Sequence, residues 1–428
     1  VGYNTRFLSE DFALEVSRVL AAHRIRVLLT DRDAPTPAIS HAILHNKTDG
    51  ACILTASHNP PGYSGIKFQP GNASPAMPEV TDAIEVHLRE IEKDGEVARA
   101  AADSPLIEYF DPREPYLAHL KTLIKADLLE RARLHVWVNC LYGTSRGYLD
   151  TLLRELGCKV DVQNAFRDPL FGGGMPEPSA EFLESMGERV LQSDAALGVA
   201  CDGDSDRFGF VDQNGQFVTV NDSLACLLWY VTEERFKTGS VVRTIATTRM
   251  LDRIAAHRGL RAQAPTPIGF KYLGHSLRTT DAVFAGEESG GMTIKGHIAE
   301  KDGIFASLLA CELIAATQST FRDLLKTINE AVGRSYSMRL DLPLSDVAKR
   351  KLMTLLLEQT PDQVGPRQVT VTDLKTDGAC LTLEDDSWLL ARPSGTEPLV
   401  RIYLEANSLQ RLAEFETDVR GLVQRIED

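Results

Sequence analysis

Ala196-Leu197-Gly198-Val199-Ala200-Cys201-Asp202-Gly203-Asp204-Ser205-Asp206-Arg207-Phe208-Gly209-Phe210-Val211 reads as an apolar strand, an acidic loop and a second apolar strand. In extended backbone, side chains two apart share a face, so Asp202, Asp204 and Asp206 converge on one point. Three carboxylates so close repel one another unless a cation lies between them, and oxygen-only ligands favour Mg²⁺ or Ca²⁺ over Zn²⁺. An EF-hand fails: its sixth position would be Arg207 instead of Gly, its twelfth Gln213 instead of Glu, and strands flank the loop. A solvated acidic loop is the competing reading.

Outward from this loop, strand and helix patterns alternate. Upstream lie strand 135–139, helix 148–156 stopped by Gly157, and strand 159–163. The first hundred residues show the same rhythm: an amphipathic run 9–23, strand 26–30, a helix near Ala38 and strand 50–55. It returns downstream with strand 241–246, helix 248–256 and helix 303–316. The last stretch differs, with short strands at 336–342, 368–372, 379–383 and 399–404, then a helix from Ser408. The expectation is an α/β protein: three similar α/β domains with mixed sheets, then a smaller α+β C-terminal domain, around a central cleft. The boundaries expected are 1–112, 113–215, 216–333 and 334–428, with linkers at the Pro-rich 111–115, the turn 212–215 and the segment near Gly333.

Composition agrees with packed domains. The chain has 428 residues, 43% hydrophobic and 25% charged, too long for one core. No apolar stretch approaches a membrane span, and the seven scattered cysteines form no zinc-like spacing, so a cytoplasmic protein with reduced thiols is expected. A formal charge of −14 disfavours nucleic acid, and an anionic small substrate needs a local basic pocket. Val1 in place of a methionine suggests a trimmed end.

Three further segments carry chemistry. Thr55-Ala56-Ser57-His58-Asn59-Pro60-Pro61-Gly62 holds Ser57 on a proline-bounded turn; an ordinary turn serine reads the same way, and no hydrolase elbow is present. Arg392-Pro393-Ser394-Gly395-Thr396-Glu397-Pro398, with Arg401 beyond it, offers guanidiniums, hydroxyls and open backbone N–H groups to a phosphate, although a plain turn fits equally. Gly286-Glu287-Glu288-Ser289-Gly290-Gly291 suits sugar hydroxyls, as would any polar loop. Neither a P-loop nor a dinucleotide fingerprint occurs.

Together, in this order and over nearly the whole chain, the four segments resemble the α-D-phosphohexomutase family of phosphoglucomutases, phosphomannomutases and phosphoglucosamine mutases. The resemblance implies a phosphorylated nucleophile at Ser57 and Mg²⁺ held by Asp202, Asp204, Asp206 and the Ser57 phosphate. It implies sugar contacts at Glu287 and Ser289, and a phosphate site at Arg392, Ser394, Gly395, Thr396 and Arg401. Lys67 in Gly65-Ile66-Lys67 resembles the family's proton carrier, expected to have a lowered pKa among cationic groups and aided by His58. Arg207, Gly269, Lys271 and Lys301, in segments similar to phosphoglucomutase ones, are expected to contact substrate. A small phosphosugar is the implied partner, a hexose 1,6-bisphosphate the implied activator, and neither nucleic acid nor membrane is expected.

Two departures accompany the resemblance. The family's opening loop, whose arginine approaches the phosphoserine, has no counterpart before Val1, and Gly291 stands where some dual-specificity members have histidine. Phosphoglucosamine mutase, sugar-bisphosphate synthase, a phosphosugar-binding protein without turnover and a metal-dependent phosphatase are the alternatives. Closure of the last domain about a hinge near Gly333 is expected to exclude water from the site.

Overall fold

The computed structural model describes residues 1–375, 377–394 and 398–427, with 94, 373–375 and 427 described as backbone only. Alternation of apolar strands and helices yields three α/β units. In the first, Gly50–Leu54 pairs in parallel with Gly2–Tyr3 and antiparallel with Ile66–Pro70. Val27–Thr30 pairs with Ile107–Phe110, and Thr30 N joins the two ladders by donating to Val1 O at 3.0 Å. The second sheet has a parallel centre, Lys159–Gln163, His135–Asn139 and Leu197–Cys201, and an antiparallel edge.

That edge corrects the expected linker at 212–215. The turn closes a hairpin in which Phe217–Val218 returns along Phe208–Asp212, because Gly215 takes the φ of +73° that the reversal needs. The third sheet runs Arg261–Ala262, Ser240–Arg243, Ala282–Glu287 and Gly291–Ile294. The last unit is a six-stranded antiparallel sheet from Tyr336–Pro343 to Leu399–Ala406, covered by helices Asp346–Glu358 and Leu409–Glu427. The mixed sheets and closing α+β unit are those expected. Strand Trp388–Pro393 and helices Pro78–Asp94, Val220–Glu234, Phe321–Val332 and Asp346–Glu358 were not anticipated.

Helix Gly303–Thr317 positions the site. Apart from Glu312, which pairs with Arg235, it is apolar on every side, as only a fully enclosed helix tolerates, and Gly303 through Ile314 are buried. Asp302 caps it by accepting from Phe305 N at 2.8 Å. The helix lies against Leu197–Cys201 and Phe208–Asp212, so the cores of the second and third units are continuous. Its first residue therefore abuts the acidic loop: Gly303 N donates to Ser205 O at 3.1 Å. No single helix among the described residues is long and apolar enough to cross a membrane.

Candidate active site

The acidic loop is a tight turn and not the extended segment expected. Asp202 N donates to Arg207 O (3.2 Å), Ser205 N to Asp202 O (3.0 Å), and Ser205 has φ of +63°. The aspartates still converge, because the turn folds them inward. All three are fully buried and offer oxygens within 4.8 Å of one another. Asp204 Oδ1 and Asp206 Oδ1 are buried without a hydrogen bond, while Asp204 Oδ2 accepts from Thr36 Oγ1, Thr55 Oγ1 and Lys67 Nζ at 2.8, 3.0 and 2.8 Å. Buried anionic oxygens left without donors fit a hard divalent cation.

Two lysines face this acid group. Lys67 Nζ reaches Asp206 Oδ2 at 2.9 Å and Lys301 Nζ reaches it at 3.0 Å. Burial and then the neighbouring carboxylates push Asp202 well above the usual range. Against burial, Lys67 above all holds Asp204 low, and Lys301 with Lys67 holds Asp206 low. Lys67 corrects an expectation: the cation Lys301 shares Asp206 with it, but carboxylates dominate its surroundings. Burial works to lower its pKa, but Asp204, Asp206 and Glu300 outweigh that and raise it, so it is a firmly held ammonium.

Ser57 meets the acid group directly, its Oγ donating to Asp202 Oδ2 at 2.8 Å. The serine has φ of +50°, and its N–H donates to Thr55 Oγ1 at 2.9 Å. Gly203 permits the approach, since a Cβ there would stand 2.9 Å from Ser57 O. Arg6 fixes the turn from behind, 1% exposed, donating to the carbonyls of Ser57, Asn59, Pro60 and Tyr63 at 2.5–2.9 Å. His58 Nδ1 lies 3.5 Å from Ser57 Oγ, and burial and then Arg207 depress its pKa to about 3, leaving it neutral.

The glycine-flanked loop is tied to the same centre, because Phe208 N donates to Gly290 O at 3.0 Å. Ser289 Oγ donates to Glu287 Oε1 at 2.6 Å, and burial raises the Glu287 pKa. Gly291 leaves room for Lys301, whose Cδ a Cβ would meet at 2.7 Å. Arg207 is partly buried, and Asp206, Asp202, Glu287 and Glu177 hold its charge against burial. Gly269, φ +122°, precedes helix Phe270–Thr279, and Lys271 Nζ lies 5.3 Å from the Tyr272 ring, with no ion pair to the acid group among the described residues.

In the last unit Arg392 and Arg401 stand opposite each other on neighbouring strands, and Ser394 N closes toward Leu399 O at 3.0 Å. Gly395 and Thr396 lie outside the described residues.

Sequence reading missed Arg6, Thr36, Thr55, Asn4 and Glu300. Asn4 Nδ2 donates to Thr55 Oγ1 at 3.0 Å, and Gln69 Nε2 to Glu300 Oε2 at 2.8 Å. Thr55 opens the quoted serine segment and was within reach; the others belong to no local pattern.

Family models match four successive segments: phosphoglucomutase/phosphomannomutase α/β/α domain I at 1–95, domain II at 114–215, domain III at 220–331 and the C-terminal domain at 357–422. A phosphoglucomutase/phosphomannomutase of Thermococcus kodakarensis is 31% identical over 89% of this chain and 80% of its own. A probable phosphoglucosamine mutase of Pyrococcus furiosus is 31% identical over 99% and 89%. The crystal structure of a Thermus thermophilus protein, described as a "putative phosphomannomutase", is 30% identical, with TM-score 0.85 over 99% of this chain and 89% of that one. With four domain models in order over a buried acid group and an adjoining serine turn, the chain belongs to the α-D-phosphohexomutase family.

Proposed function

We propose that the protein is a cytoplasmic mutase interconverting hexose 1-phosphate and hexose 6-phosphate, glucose or mannose, through phospho-Ser57 and a hexose 1,6-bisphosphate. The observation carrying this reading is Ser57 Oγ at 2.8 Å from Asp202 Oδ2, inside a buried group of three carboxylates. Asp202, Asp204 and Asp206 with the Ser57 phosphate would hold Mg²⁺, which when bound supplies charge neutralisation for phosphoryl transfer.

In the transfer, the substrate hydroxyl forms an O–P bond as the Ser57 Oγ–P bond breaks, and the hydroxyl proton ends on Ser57 Oγ. Lys67, held as an ammonium, gives a proton to the departing Oγ and regains one from the hydroxyl. Neutral His58, beside Oγ, orients it. Arg6 and Thr55 hold the serine turn, and Thr36 holds Asp204. Glu287 and Ser289 orient sugar hydroxyls. Arg207, Gly269, Lys271 and Lys301 line the sugar, and Arg392, Ser394, Gly395, Thr396 and Arg401 bind the phosphate that is not reacting. Hexose 1,6-bisphosphate serves as activator by rephosphorylating Ser57.

A second reading, phosphoglucosamine mutase, draws on the relative of that name from Pyrococcus furiosus. Coupled assays with glucose, mannose and glucosamine 1-phosphates and catalytic glucose 1,6-bisphosphate decide the sugar. Intact mass should show a phosphate increment on the wild type and none on Ser57→Ala; phosphate on the variant, or release of inorganic phosphate as product, would defeat the proposal.

A further inference from the structure

Register in the last sheet sets one face. Tyr403 stands opposite Arg339 and Leu390, and Arg401 opposite Asp341 and Arg392. Paired residues of antiparallel strands, and residues two apart along one strand, project to the same side. Arg339, Asp341, Arg392, Arg401 and Tyr403 therefore share a face. The same face continues into Trp388 and Leu390, which pack on Ile245 and Ala246 of the third unit.

Arg392 and Arg401 flank the expected phosphate loop, whereas Arg339 belongs to no recognised segment. One carboxylate serves two of these arginines: Arg339 Nη2 donates to Asp341 Oδ2 at 2.9 Å, and Asp341 Oδ1 stands 4.0 Å from Arg401 Nε. Arg339 remains 53% exposed, so part of its guanidinium fork is open to solvent. In a chain of charge −14, three guanidiniums on one face reverse the sign locally, as a site for an anion requires. Burial opposes the charge of Arg339, but Asp341, Tyr403 and Glu177 outweigh it and hold its pKa up. Glu177 acts in the same direction on Arg207.

We propose that Arg339 is a third substrate-phosphate ligand, acting beside Arg392 and Arg401 with its fork oriented by Asp341. This rests on the phosphosugar reading above and adds a residue outside its motifs.

Calorimetric titration of the full chain with glucose 1-phosphate and, separately, with inorganic phosphate tests it. Arg339→Gln should weaken both by about 10- to 100-fold, the worth of a charge-assisted hydrogen bond. Melting temperature should hold within about 2 °C, as for an exposed substitution. Arg339→Lys should recover part of the affinity, keeping the charge but losing the fork. In turnover, KM should rise with kcat nearly unchanged, as for uniform binding. Wild-type affinity in Arg339→Gln overturns the proposal, as does an equal loss in Arg339→Lys. If the wild type binds both probes yet interconverts no hexose phosphate, the mutase reading fails and the arginine assignment stands; if it binds neither, both fall.

Discussion

The joint among the first three units and the contact of the fourth are built differently. In the first, buried polar side chains cross between units. Thr36, Thr55 and Lys67 reach Asp204, Ser40 and Gln69 lead to Glu300, and Arg146 pairs with Asp33. Behind them runs a row of imidazoles: His45, His41, His119 and His297, with neighbouring rings 4.8–5.8 Å apart. It ends where His297 and Tyr116 both meet Asp302 Oδ2, at 2.7 and 2.8 Å. The fourth unit keeps its own core and touches the third through a small apolar patch around Trp388, edged by Arg249 with Glu405 and Thr382. The proposed chemistry, which needs fixed geometry, lies on the interlocked joint, and the unit proposed to bind the substrate phosphate is attached lightly, next to Gly333.

Tests of this contrast differ in size. The largest effect belongs to the interlocked side: Asp204→Asn should cut turnover by at least about 1000-fold, since it removes charge where the transferring phosphoryl needs it. Mg²⁺ affinity by calorimetry should fall with it; an unchanged affinity would remove Asp204 from the metal set. Next, Arg6→Ala leaves four carbonyls without their donor and should cost about 3 kcal/mol or more, against about 1 kcal/mol or less for Arg249→Gln at the lighter contact. Equal losses in denaturant unfolding would erase the distinction.

Acid should also separate the two regions. Burial first, then neighbouring imidazoles, lowers the His41 and His119 pKa values to about 4 from the ordinary 6.5. Between those limits the unfolded chain binds more protons, so this contribution is full above pH 6.5 and is lost as pH falls toward 4. The groups facing His41 are His45, His119 and Tyr116, while His297 and Asp302 face the far side of His119. Calorimetry should show the transition of the three joined units falling by about 5 °C from pH 7 to 5, ahead of the fourth. His41→Phe should flatten that dependence; if it does not, the imidazole row is not the acid-sensitive element. The smallest effect is at the hinge. Gly333 has φ of +79°, so Gly333→Ala should cost about 1 kcal/mol. X-ray scattering of the wild type should contract on adding glucose 1-phosphate, and identical profiles would show the fourth unit already fixed.

How much of this could be read beforehand follows from range. Strands 135–139 and 159–163 were legible to the residue, because apolar runs bounded by turn signals declare themselves locally. The helix beginning at Gly303 was visible for the same reason, but its packing on the second sheet was not. The aspartates were legible as a group even though the backbone joining them was misread as extended, since the short spacing confines the carboxylates in either conformation. Lys67 was located correctly and its electrostatics wrongly, because Asp204 and Asp206 are remote from it in the chain.

By itself the amino-acid order determined the apolar strands and helices of the three α/β units that turn signals bound, and where the serine turn, the acids and the basic residues stand along the chain, because periodicity, glycine and proline act over a few residues. Tertiary structure alone decided that Thr36 and Thr55 hold Asp204, that Arg6 braces the serine turn and that Arg339 joins the arginine face. Those contacts depend on how separate units pack, and burial and Coulomb interaction follow distance in space and not position along the chain.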